Sequence, residues 1–159
     1  MNCEKHPKSC INENLYMEMA DELVRGGYRE AGYTTVHVDD CWMDRERDRA
    51  SGRLVADPIR FPSGMRNLAR YMHARGLKFG IYGSVGTETC QKFPGSYGYF
   101  KVDADTFADW EVDYLKLGSC GIHIDRIPEG YENMERALNA TGRPIVYSCT
   151  GPAFYGQDV

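Results

Sequence analysis

No apolar run in these 159 residues approaches the roughly 20 needed to cross a bilayer. The N-terminal stretch Met1-Asn2-Cys3-Glu4-Lys5-His6 lacks the hydrophobic core of a secretion signal. Clustered positive charge is missing too. The balance is mildly acidic, net -4, and the one basic cluster, Arg45, Arg47 and Arg49, alternates with Asp44, Glu46 and Asp48. Such a segment reads as a solvated, self-neutralising loop, and nucleic acid is excluded as a partner because tracking phosphates needs concentrated Lys and Arg. Linkers and low-complexity tracts are absent, so at most one domain, 1–159, is expected.

Cysteine is not scarce. Six stand at 3, 10, 41, 90, 120 and 149, with a glycosylation sequon at Asn139-Ala140-Thr141. Together they point to an oxidising compartment and a disulfide framework. With no signal core in view, the natural protein is expected to begin upstream of Met1. A zinc site using Cys3, His6 and Cys10, or Cys120 and His123, is the competing reading. It lacks a four-ligand set of known spacing, and no metal or other cofactor is expected.

Helical and strand patterns alternate four times. Residues 12–25 place Leu15, Tyr16, Met19 and Leu23 on one helical face before Gly26-Gly27, and Tyr33 to Val38 follows as a strand. Met65, Leu68, Ala69 and Met72 mark a helix closed by Gly76, and Leu77 to Tyr82 the next strand. A third helix holds Phe107 and Trp110 and precedes the strand Asp113 to Leu117. The fourth begins near Pro128, buries Tyr131, Met134 and Leu138, and ends at Gly142, ahead of the strand Pro144 to Ser148.

Strands alternating with helices of this length pair in parallel through right-handed crossovers. An open sheet built for nucleotides carries a glycine-rich turn after its first strand. Here that strand ends in Asp39-Asp40-Cys41, whose charges repel a pyrophosphate. The expected fold is therefore α/β, part of a (β/α)₈ barrel, with four of the eight strands. Its strand ends would gather Asp39, Asp40 and Trp42, then Tyr82 and Ser84, then Lys116 and Ser119, then Tyr147, Ser148 and Thr150. Carboxylates, an ammonium, hydroxyls and an aromatic face suit a sugar, whose hydroxyls donate to Asp and accept from Lys. The plainer alternative is that Asp39-Asp40 caps a turn and Lys116 snorkels.

These segments also carry a family resemblance. Val38-Asp39-Asp40-Cys41-Trp42-Met43, Arg60-Phe61-Pro62-Ser63-Gly64, Gly76 to Tyr82, Phe93 to Tyr99, Phe107 to Trp110 and Ile145 to Cys149 resemble the α-galactosidase and α-N-acetylgalactosaminidase family of retaining glycoside hydrolases. The resemblance places the chain on strands two to five of the catalytic barrel. It implies that Asp39 and Asp40 bind the galactose 4- and 6-hydroxyls, that Lys116 meets the ring hydroxyls, and that Tyr82 walls the pocket. It pairs Cys90 with Cys120 and Cys3 with Cys10, and leaves Cys41 and Cys149 without partners in this chain. Thr150 and Ala153 stand where the family sorts galactose from N-acetylgalactosamine, and both are small. Complete relatives are expected to be lysosomal or secreted homodimers. One departure matters for activity: where the family reads Leu-Lys-x-Asp-Gly-Cys, this chain reads Leu115-Lys116-Leu117-Gly118-Ser119-Cys120, so Gly118 replaces the nucleophile. With the acid/base strand also outside the chain, inactivity is expected, and a non-catalytic galactoside-binding or chain-assembling relative is the alternative.

Overall fold

The structure, a computed structural model, describes residues 11–150. Helix α1, Glu13–Arg25, starts because the Asn12 side chain accepts from Leu15 N at 3.0 Å, satisfying a donor the helix cannot. The chain then alternates through β1 (Thr35–Val38), α2 (Met65–His73), β2 (Lys78–Ser84), α3 (Phe100–Asp109), β3 (Tyr114–Gly118), α4 (Ile127–Ala140) and β4 (Val146–Cys149). The strands form one parallel sheet in the order β1-β2-β3-β4. This is the sequential arrangement that a barrel requires, with no reversal of strand order to create a nucleotide crevice.

Strand alternation divides the sheet into two faces. Val36, Val38, Phe79, Ile81, Leu115 and Leu117 turn toward the helices and are buried, packing with Leu68, Met72, Phe107, Met134 and Leu138 in a single core. His37, Gly80, Tyr82, Tyr114, Lys116, Gly118 and Ser148 occupy the opposite, inner face in register. Gly80 is required there: a Cβ on it would come within 2.2 Å of the His37 ring.

Every strand shifts by one or two residues from the sequence reading. Strand one begins at Thr35 because Tyr33 N donates back to Tyr28 O at 3.0 Å. Strand two runs on to Ser84, opposite Gly118. Strand four starts at Val146, past the Pro144 ring that has no N–H for a ladder. Two side-chain readings are also corrected. Trp42 does not face the strand ends as a sugar platform; it is fully buried, and its indole N–H donates to Tyr82 O at 2.8 Å. Nor is Arg47 a solvated loop residue, because it forms a bidentate ion pair with buried Asp103 at 2.6 and 2.7 Å.

At the opposite, N-terminal end of the sheet, Asp113 ties three elements together. Its carboxylate accepts from Phe79 N at 2.8 Å and Arg143 Nη2 at 2.8 Å, and meets His73 Nε2 at 2.7 Å. Asp113→Ala is expected to lower the unfolding free energy by about 1.5–3 kcal/mol, the range for hydrogen bonds to charged groups. A urea titration checks it; a loss below half a kcal/mol would show the carboxylate to be dispensable.

Candidate active site

The C-terminal strand tips bring the predicted polar residues together. Asp39, one residue past β1, reaches across β2, and its Oδ2 accepts from Lys116 Nζ at 2.5 Å. The ammonium sits 5.4 Å from the centre of the Tyr82 ring on the strand between them. Asp39 and Lys116 keep 61% and 40% of their side-chain surface open, so an incoming polar group can reach both. Asp40 is held differently. One of its oxygens accepts from Cys41 N at 2.7 Å and the other from Gln91 N at 3.1 Å, which anchors the loop after β2.

The loop anchor continues into a disulfide between Cys90 and Cys120, which joins the loops following β2 and β3. The Tyr82 hydroxyl lies 3.7 Å from Cys90 Sγ. Burial, with the Asp40 and Asp39 charges adding to it, drives the Tyr82 phenol well above its ordinary range, so it stays protonated. Beneath it is Gly118 at the tip of β3. A Cβ on Gly118 would meet the Tyr82 hydroxyl at 2.6 Å. The space in which a side chain at 118 would stand is filled by Tyr82.

Thr150 is placed beside the tip of β3, but its hydroxyl donates to Leu117 O at 3.3 Å and its N–H to the same oxygen at 3.1 Å. Ala153, Cys3 and Cys10 lie outside the described residues, and so does any test of the Cys3–Cys10 pairing. Asn139 is near the end of α4 on an exposed surface, as a glycosylation acceptor must be.

Cys41 and Cys149 are free thiols. Burial raises both above the ordinary thiol range, with Asp40 adding to the effect at Cys41, so neither is an activated thiolate. Cys120 is consumed in its disulfide, and His123 Nδ1 instead sits 3.3 Å from Asp125 Oδ2, which removes the Cys120–His123 pair as zinc ligands.

Two neighbours of Asp39 were not singled out from the sequence. Tyr16 was assigned to the helix core, yet burial, with the nearby Asp39 charge adding to it, pushes its phenol up to about 12. His37 points to the same inner face two residues before Asp39. Burial lowers it, the Lys116 charge adds to that, and Asp39 opposes both, so the imidazole is neutral at pH 7. The i, i+2 spacing from Asp39 is the signal that could have found His37. Tyr16 has no such signal, because its approach depends on how α1 packs.

This geometry can be set beside known proteins. The family model described as alpha galactosidase A matches residues 1–159. The chain is 52% identical over 155 residues to human Alpha-galactosidase A, covering 97% of this chain and 36% of that protein. It is 52% identical over 157 residues to Alpha-N-acetylgalactosaminidase of Gallus gallus, covering 98% and 38%. Among solved structures, alpha-galactosidase I from Mortierella vinacea superposes with a TM-score of 0.83 at 40% identity, covering 87% of this chain and 36% of that one. The alfa-galactosidase of Saccharomyces cerevisiae with raffinose gives 0.82 at 39% identity, covering 87% and 31%. The chain thus spans little more than a third of the length of the curated relatives it matches. The parallel sheet is a partial (β/α)₈ barrel. From its strand motifs to its superposition, this chain belongs to the alpha-galactosidase A family of glycoside hydrolases.

Proposed function

We propose that this chain carries the galactoside-recognising rim of an α-galactosidase or α-N-acetylgalactosaminidase barrel and does not cleave glycosides by itself. Asp39 and Lys116 are the primary sugar contacts, one accepting from and one donating to adjacent ring hydroxyls. Asp40 supports a neighbouring hydroxyl while it holds the Gln91 loop, and Tyr82 supplies the apolar wall. Thr150 and Ala153 are small residue types at the positions where the family sorts its substrates, which suits an acetamido group. The disulfide fits an oxidising compartment, and we place the protein in the secretory or lysosomal route.

One observation carries the loss of activity: Gly118 stands at the β3 tip with the Tyr82 hydroxyl against it. Retaining hydrolysis needs two carboxyl groups about 5–5.5 Å apart, one of them a nucleophile. Glycine cannot form the glycosyl-enzyme. Asp39 is already paired with Lys116, and both Asp40 oxygens accept main-chain N–H groups.

Aryl α-galactoside and aryl α-N-acetylgalactosaminide should therefore release no chromophore above background. Gly118→Asp should not restore release, and the forced approach to Tyr82 should lower stability by about 1–3 kcal/mol. Turnover by either protein would refute the catalytic part of the proposal. The binding part is read separately, by amide shifts on galactose titration. Those at Asp39 and Lys116 should move in the parent chain and stay fixed in Asp39→Ala; equal movement in both would place the sugar elsewhere.

A further inference from the structure

The loops after β1 and β2 enclose an open groove of about 560 Å³, within the roughly 300–1,000 Å³ range of small-molecule sites. It lies at the same end of the sheet as the Asp39–Lys116 rim. A single residue divides the two. Gln91 N donates to Asp40 Oδ2 at 3.1 Å on the rim side, and Gln91 O lies 3.5 Å from Arg45 Nη1 on the groove side. A molecule that extends from the rim past Gln91 enters the groove.

The groove is preformed. Arg47 donates to Gly95 O at 2.7 Å and lies 4.1 Å over the Tyr99 ring. Arg45 crosses from the loop after β1 to lie 4.2 Å over Phe93. Lys92 is held at a positive φ of 64°, its N–H donating to Thr89 O at 3.0 Å, a conformation that a residue with a side chain adopts only when its surroundings fix it. Binding therefore has little left to order. Tyr97 and Tyr99 are 37% and 42% exposed, offering flat apolar faces with hydroxyl tips. The Tyr97 hydroxyl accepts from Arg126 Nη1 at 2.6 Å and keeps its own proton to donate. Lys92 and Glu88, ion-paired and exposed, supply a further donor and acceptor. Sugar rings need this mixture, with C–H faces that lie on aromatic rings and hydroxyls that accept from an ammonium and donate to a carboxylate. A phosphate-bearing ligand fits poorly, because Glu46 and Glu88 line the same groove.

We propose that this groove holds the sugar residues that follow a terminal galactose, so that the chain recognises galactose-terminated oligosaccharides rather than galactose alone. The inference rests on the galactoside reading of the rim and adds to it a second set of contacts beyond Gln91. With two sites engaged by one molecule, the second binding event is intramolecular, and affinity rises without any change at the rim.

The test follows amide shifts of the full 159-residue chain with three probes. They are galactose, raffinose, in which a galactose caps two further sugars, and sucrose, those two sugars alone. Galactose should move Asp39 and Lys116. Raffinose should move these together with Lys92, Tyr97 and Tyr99, and bind about tenfold more tightly, the effect of one added charge-assisted hydrogen bond. Sucrose should move the groove amides weakly and leave Asp39 and Lys116 alone. Lys92→Gly, which suits the positive φ, combined with Tyr97→Ala should bring raffinose down to the affinity of galactose and leave galactose binding as it was. Raffinose no tighter than galactose, raffinose shifts confined to the rim, or a raffinose advantage that survives the double variant would each overturn the inference. A failed rim reading looks different: Asp39 and Lys116 would stay unmoved by galactose as well, and the groove would lose the terminal sugar it extends.

Discussion

Replacing Arg47 by Met should destabilise the protein by about 3–5 kcal/mol at neutral pH, the effect of stranding one charge of a buried pair. Asp103 has no exposed side-chain surface and Arg47 only 11%. The guanidinium also donates to Gly52 O at 2.8 Å and Gly95 O at 2.7 Å, and lies 4.1 Å over the Tyr99 ring. It therefore pins the loops after β1 and β2 to α3, and methionine keeps the stem's volume while losing all of this. The pH dependence separates charge from packing. Burial raises the Asp103 carboxyl above its ordinary range, and Arg47 opposes that shift. Without Arg47 the folded state holds the Asp103 proton more firmly. A carboxyl raised on folding stabilises the fold below its unfolded value and loses that contribution as pH rises through its folded value. The deficit of Arg47→Met should accordingly shrink as pH falls from 7 toward the ordinary carboxylate range. Parallel urea titrations measure it, and a deficit constant with pH would assign the loss to packing alone.

Arg47 also shows where the sequence stopped being informative. The strands were legible because their helix-facing residues, Val36 and Val38, Phe79 and Ile81, Leu115 and Leu117, are apolar at the period a buried face demands. The helices were legible from stops such as Gly27 and Gly142, whose positive φ lets the chain turn out of the helix. Arg47 looked solvated because its sequence neighbours neutralise it. Its true partner is 56 residues away, and no local pattern reports that distance. Trp42 failed similarly: its position at a strand tip put it near the pocket, but the chain turns at Cys41, where φ is 74°, and carries the indole into the core. Asp39 and Lys116 could be placed at the tips of the first and third strands by counting strands. That they bond directly across Tyr82, and that Tyr82 fills the space over Gly118, depends on side-chain directions that only the folded chain shows.

The same distance argument makes the disulfide the other large effect. Cys90 and Cys120 are 30 residues apart, and closing a loop of that size removes unfolded-state entropy worth about 3–4 kcal/mol at 25 °C. Their loops are also knitted by main-chain bonds, Thr87 N to Gly121 O at 3.0 Å and Val85 N to Gly118 O at 2.9 Å. Those bonds hold the native arrangement whether or not the sulfurs are joined. The cross-link acts on the unfolded chain, so the bonds do not replace it. Cys90→Ser with Cys120→Ser should therefore keep the fold and lose nearly the full entropic contribution. Reducing agent should lower the parent chain's melting temperature by far more than that of the double variant. The site should feel the change as well, because Gln91, beside Cys90, donates to Asp40 and the Tyr82 hydroxyl rests against the cystine. Well below its melting temperature, the double variant should show weaker galactose-induced shifts at Asp40 and Gln91 than the parent. A parent chain whose melting temperature ignores reductant would mean that the main-chain ladder, and not the cross-link, sets the stability of the rim.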